Sequence, residues 1–162
     1  MRKNIDYKKQ DNWTTPKEYW KCITKFIPDN SIIIDPFFFN GDVKNQWKQL
    51  GYDIIHEDND FFKIEKNDCN NTIYITNPPY SILLKCIKHL FYLDKPFILL
   101  IPIQKIAQLK IQKELKKYKL QLIICSIYKG FIDQEGNNTR CPSQYFCYLC
   151  YKLNLDQDLI FL

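Results

Sequence analysis

Two periodicities of apolar and polar positions alternate along the chain. Short apolar, β-branched or aromatic runs at residues 31–35, 52–56, 72–76 and 97–101 are too brief for buried helices and predict strands. Between them, apolar residues recur at helical spacing. Pro16 opens a helix running to about residue 26, residues 42–50 form a second that stops at Gly51, and residues 81–93 and 103–117 form two more. Residues 121–128 and 143–151 are two further strands with no helix between them, only a polar loop around Gly136-Asn137-Asn138. Strands alternating with helices imply an α/β fold with a mostly parallel sheet covered on both faces, and the closing strand pair implies an antiparallel edge hairpin.

No repeat, low-complexity tract or flexible linker divides the 162 residues, so a single domain spanning 1–162 is expected, with residues 1–12 as a flexible tail. Apolar residues make up 46% of the chain, enough for a core, yet no run of 18 apolar residues exists to span a membrane. The charged start carries no signal-peptide pattern, which predicts an intracellular protein. Seven cysteines follow no framework spacing, so reduced core thiols are expected. Cys147 and Cys150 lie three apart within a strand and so face opposite ways, a poor start for a tetrahedral metal site; no metal is expected.

In such a sheet, ligands bind at the carboxyl ends of the strands, and the chemically suggestive residues fall there. Asn77-Pro78-Pro79-Tyr80 follows the strand at 72–76. A plain Asn-Pro turn is the bland alternative. Prolines donate no N–H, however, so the loop offers carbonyl acceptors without competing donors beside the Asn77 side-chain oxygen. Two such acceptors can grip both hydrogens of a planar amino group and stabilise the charge that develops on it as it attacks. Tyr80 offers a face on which a flat ring can stack.

Asn77-Pro78-Pro79-Tyr80 resembles the catalytic motif of S-adenosylmethionine-dependent amino-methyltransferases, most closely the short adenine-N6 DNA methyltransferases of phages and large DNA viruses. The resemblance extends over roughly residues 13–151. It implies a Rossmann-like methyltransferase domain with S-adenosyl-L-methionine as cofactor. Trp13-Thr14-Thr15-Pro16 matches the family's segment for the methionine part, and Asp35-Pro36-Phe37, continuing to Gly41, matches its cofactor loop. Glu57 or Asp58 matches the acid that binds the ribose hydroxyls, and Asp60-Phe61 matches the pair that contacts the cofactor's adenine. The chain departs from the family at Phe39, where a loop glycine is usual. It is also short: between Asp35 and Asn77 there is room for one helix and one strand, so the usual third strand is missing, and no segment remains for a target-recognition domain.

The net charge of +5 changes the picture of partners. Lys105, Lys110, Lys113 and Lys117, with Lys116 and Lys119, crowd one helical stretch that reads either as a solvated face or as a phosphate-contacting surface. Nucleic acid is the expected partner, DNA before RNA, with a homodimer or partner subunit as the route to target recognition. RNA adenine, a protein glutamine, or a catalytically silent binding subunit are the alternatives. His56 and His89 form no catalytic constellation and are read as structural.

Overall fold

A computed structural model describes residues 11, 13–67, 70–133, 136–137 and 145–162. Seven strands form one sheet: β1 (Ile32–Ile34), β2 (Ile54–Ile55), β3 (Thr72–Thr76), β4 (Phe97–Pro102), β5 (Leu120–Ile124), β6 (Phe146–Tyr151) and β7 (Leu159–Phe161). Their order is β2-β1-β3-β4-β6-β5-β7. Four helices accompany them: α1 (Lys17–Lys21), α2 (Asp42–Gln49), α3 (Leu83–Leu93) and α4 (Leu109–Leu115). The β2-β1-β3-β4 half is wholly parallel, whereas β6 runs antiparallel to both β4 and β5. This arrangement is compatible with a Rossmann-like fold, and β2 lies at the edge where a doubly wound sheet would carry a further strand.

Strand alternation sorts the core into two layers. Ile73, Ile75, Ile98, Leu100, Tyr148 and Cys150 pack with Tyr19, Trp20 and Trp47 of α1 and α2. Tyr74, Phe97, Leu99, Ile101, Cys147 and Leu149 pack with Leu83, Ile87, Leu90 and Ile111 of α3 and α4. Cys147 and Cys150 therefore do face opposite layers, and burial pushes both thiols up to about 12. Cys141 lies outside the described residues. Among the described residues no cluster of His, Cys, Asp or Glu could hold a metal, and no helix is long and apolar enough to cross a membrane.

The structure corrects four expectations. The β5–β6 hairpin is present, but it is not the edge: β6 inserts between β4 and β5, and β7 pairs outside β5 with Leu122 opposite Leu159. The strand expected to reach residue 128 ends at Ile124, because beyond the last rung, Cys125 N–H to the Phe146 carbonyl (3.2 Å), the chain turns away to pack on the N-terminal segment. The helix expected over 103–117 is split. Ile103 N–H donates to the Tyr145 carbonyl (2.9 Å), which holds the start of that stretch to the sheet, and α4 begins only at Leu109. Similarly, Pro16 sits just before α1, which ends at Lys21 and gives way to a 3-10 turn.

Trp47 is fully buried and stacks on Trp20 with ring centroids 5.7 Å apart, joining α2 to α1. Trp47→Ala is expected to cost about 3–5 kcal/mol through lost burial and a residual cavity. The check is urea unfolding, where the midpoint falls and the slope is kept.

Candidate functional site

Leaving the sheet, β1 and its neighbour β3 send their chains in different directions: β1 leads toward β2 on one side, and β3 leads toward β4 on the other. A crevice opens between such diverging loops. Asp35 is the first residue beyond β1 and is 3% exposed. Its carboxylate accepts from Thr76 Oγ1 at the end of β3 (2.5 Å) and from Phe37 N–H in its own loop (3.3 Å). His56, just beyond β2, places Nδ1 3.0 Å from the Asp35 carbonyl and 4.0 Å from its carboxylate. Burial pushes the Asp35 carboxyl up to about 6, with His56, Thr76 and Phe37 opposing the rise.

The Asn77 amide is held from both ends. Nδ2 donates to Thr15 Oγ1 (2.9 Å), and Oδ1 accepts from the Tyr80 hydroxyl (2.5 Å). A carbonyl oxygen has two lone pairs, so Oδ1 keeps one for a further donor. Burial, with the Tyr19 phenol adding to it, pushes Tyr80 well above its ordinary range, so it stays a neutral donor. The Pro79 carbonyl accepts from Ile82 N–H (3.2 Å), and among the described residues no backbone donor reaches the Pro78 carbonyl. The Tyr80 ring is half-buried and packs against both core layers, so the residue read from sequence as a stacking face also acts through its hydroxyl.

The N-terminal segment closes the crevice. Thr14 and Ile132 exchange backbone hydrogen bonds of 2.8 and 3.0 Å, and Asn40 Nδ2 donates to Thr14 Oγ1 (3.2 Å). The Asp11 carboxylate accepts from the N–H and hydroxyl of Ser81, just past the Asn77 loop. Asp11 thus belongs to the site rather than to a tail; residues 1–10 and 12 lie outside the described residues. Behind the strap, Phe131 stacks on Tyr19 (5.6 Å, 12°), whose hydroxyl donates to the Lys129 carbonyl (3.0 Å).

The cleft brings together Trp13, Thr14, Thr15, Asp35, Phe37, Asn77 and Pro79 among the residues expected from sequence. Pro16, Pro36, Gly41, Pro78 and Tyr80 flank it without lining it. Glu57 and Asp58 are exposed beyond β2, and the Glu57 carboxylate accepts from Asn59 (2.8 Å). Asp60 accepts from Phe62 N–H (3.1 Å) and caps a 3-10 turn, while Phe61 is fully buried and touches Phe37 edge to face (4.9 Å). Sequence reasoning missed Asp11, Trp20, Phe38, Phe39, Asn40, Val43 and His56, all of which line the cleft. Phe39 keeps a negative φ, so the loop needs no glycine there and its ring becomes part of the wall; Gly41, at φ +81°, does need its freedom. Lys105 is half-buried near the end of β4, Lys110 and Lys113 are exposed on α4, and Lys117 is exposed just after it. Lys117 pairs with the buried Glu114 carboxylate at 2.9 Å.

No protein-family model and no curated protein matches this chain.

The titration of Asp35 is testable. Its folded value of about 6 lies above the ordinary 3.8, so its ionisation costs stability. That cost is absent below the unfolded value and complete above the folded one. From about pH 4 to about pH 6, Asp35→Asn is expected to gain in melting temperature relative to the wild type. A difference constant across that window would show that Asp35 does not titrate there.

Proposed function

We propose that this chain is an S-adenosylmethionine-dependent methyltransferase acting on the exocyclic N6 amino group of adenine, with DNA as the favoured carrier. The observation that carries the reading is the Asn77 amide set at the wall of an acidic, aromatic cleft. Among the described residues lining it are two carboxylates, Asp11 and Asp35, and five tryptophan and phenylalanine side chains beside Asn77, with no Lys or Arg. Such a lining disfavours a phosphate-bearing ligand and suits a cation, because aromatic faces and carboxylates both attract positive charge. S-adenosylmethionine meets that demand with a sulfonium and an ammonium group. Asp35, Thr15 and the rings of Trp13 and Phe37 are the residues that would hold it. Bound there, it would supply an electrophilic methyl group.

The rest of the chemistry belongs to the chain. An exocyclic amine on an aromatic base is a poor nucleophile, since its lone pair is delocalised into the ring. The spare lone pair of Asn77 Oδ1 and the Pro78 carbonyl can accept its two hydrogens, draw the nitrogen toward a tetrahedral form and stabilise the positive charge that develops on it. Thr15 and Tyr80 keep the amide oriented, so little reorganisation is needed at the moment of transfer. No general base is needed, because the methylated amine is cationic and loses its proton afterwards. A base in duplex DNA has to be flipped out to reach the loop, at a cost of a few kcal/mol.

Calorimetry is expected to show binding of S-adenosylmethionine; silence at millimolar cofactor favours a binding subunit on this fold. Incubation with methyl-labelled cofactor and DNA, RNA or protein, followed by mass spectrometry, is expected to find N6-methyladenine in DNA. Label on RNA or on glutamine would reassign the substrate.

Asn77→Ala is expected to lower turnover by roughly 100-fold with cofactor affinity nearly unchanged. Tyr80→Phe keeps the ring and removes the hydroxyl that holds Asn77, a loss of about 1 kcal/mol in turnover. Tyr80→Ala is expected to lose a further 1–3 kcal/mol or so, of the order of one base-stacking contact. Full methyl transfer by Asn77→Ala would remove this loop from the active site.

A further inference from the structure

His56 has an unanswered hydrogen-bonding atom. Its Nδ1 lies 3.0 Å from the Asp35 carbonyl, and a carbonyl only accepts, so Nδ1 carries the proton of that bond. In the neutral ring, Nε2 is then a lone-pair acceptor. It is buried and has no hydrogen-bond partner. The residue is 5% exposed and lines the cleft. A buried acceptor without a donor is uncommon, because leaving it unpaired costs the desolvation of that group. The acids at the end of β2 that could take its place lie outside the cleft: Glu57 and Asp58 are exposed, and neither lines it.

We propose that His56 Nε2, rather than Glu57 or Asp58, is the side-chain acceptor for a hydroxyl hydrogen of the bound nucleoside, a reading that rests on the proposed cofactor. The chemistry follows from the tautomer. An acceptor fixed by its own Nδ1–H bond demands a ligand donor, and the ribose of an adenosyl group carries two hydroxyl donors. The imidazole face also takes a flat partner, since the Phe38 ring already packs on it at 5.0 Å and 34°. Phe38 is half-buried on the β1–α2 loop, and its ring is the side chain that lies over the imidazole in this structure.

The test separates Nε2 from Nδ1. An asparagine amide can reproduce the Nδ1 donor, whereas a glutamine amide reaches the Nε2 position with an acceptor. Calorimetry is run with S-adenosylhomocysteine and with its 2′-deoxy and 3′-deoxy analogues. On the wild type, one deoxy analogue is expected to bind about tenfold more weakly, the size of one neutral hydrogen bond. His56→Asn is expected to lose about tenfold for the parent ligand and nothing more for that analogue, while His56→Gln recovers most of the affinity. Equal binding of all three ligands by the wild type overturns the proposal, as does an undiminished deoxy penalty in His56→Asn. If the asparagine variant does not fold, Glu57→Ala and Asp58→Ala decide: both are expected to keep the deoxy penalty of the wild type, and its loss in either overturns the proposal. A wild type that binds the cofactor without these effects removes only the role of His56; one that binds no cofactor removes the function proposed above with it.

Discussion

The interaction on which the site depends is the buried carboxylate of Asp35. It touches the ends of three adjacent strands: its own residue follows β1, it accepts from Thr76 of β3, and it lies beside His56 after β2. Placing an ion in so dry a position is unfavourable, and its raised pKa is the direct expression of that cost. What keeps it there is geometric. One acidic group satisfies the Thr76 hydroxyl and the Phe37 amide, and so fixes where the β1 loop departs and how wide the crevice opens. The same charge is what the cleft has to offer a cationic ligand.

The second constraint is that the site is assembled from distant segments. Thr15 orients Asn77, Asp11 holds Ser81, and Thr14 pairs with Ile132. The Asn77 loop is held in place by Asp11 and Thr15 of the N-terminal segment. That segment is in turn backed by Tyr19, Phe131 and the chain leaving β5. This explains the early end of β5: residues beyond Ile124 form the outer wall of the strap rather than more of the hairpin. It also explains why the catalytic candidate is not a local motif in the energetic sense. Its sequence is contiguous, but one of the two hydrogen bonds that orient its amide comes from Thr15, far away in the chain.

These facts decide what could be read from sequence. β3 and β4 are buried on both faces, so their runs are continuously apolar and their limits were legible. β7 has three residues, two of them exposed, and exists only because β5 offers an edge; no local signal marks it. The Asn-Pro-Pro-Tyr loop was legible because its chemistry is carried by residue type. The cleft wall was not, since Phe38 and Phe39 look like core residues and His56 looks like a buried structural histidine. Lining a cavity is a property of topology, and here the short connection from β1 to α2 turns three consecutive aromatic rings inward. The acids after β2 illustrate the converse. Their residue type suggested a ribose contact, yet Glu57 and Asp58 are exposed and the neighbouring imidazole lines the wall.

Charge is divided within the molecule in a way that composition conceals. The chain carries +5, while the described lining of the cleft has carboxylates and no cation. The positive groups lie elsewhere, several of them on α4, which leaves the end of β4 that adjoins the crevice and runs back toward the start of β5. Lys110 and Lys113 stand on α4, and Lys117 lies just past its end. Lys117 is also partly neutralised by Glu114. On the proposed reading, a cationic cofactor and a polyanionic substrate would therefore meet different surfaces. Lys105, which directly follows β4 and precedes α4, is the lysine of this group nearest the strand ends in sequence. The remaining lysines of α4 can add attraction at longer range, and that contribution is the one that salt screens first.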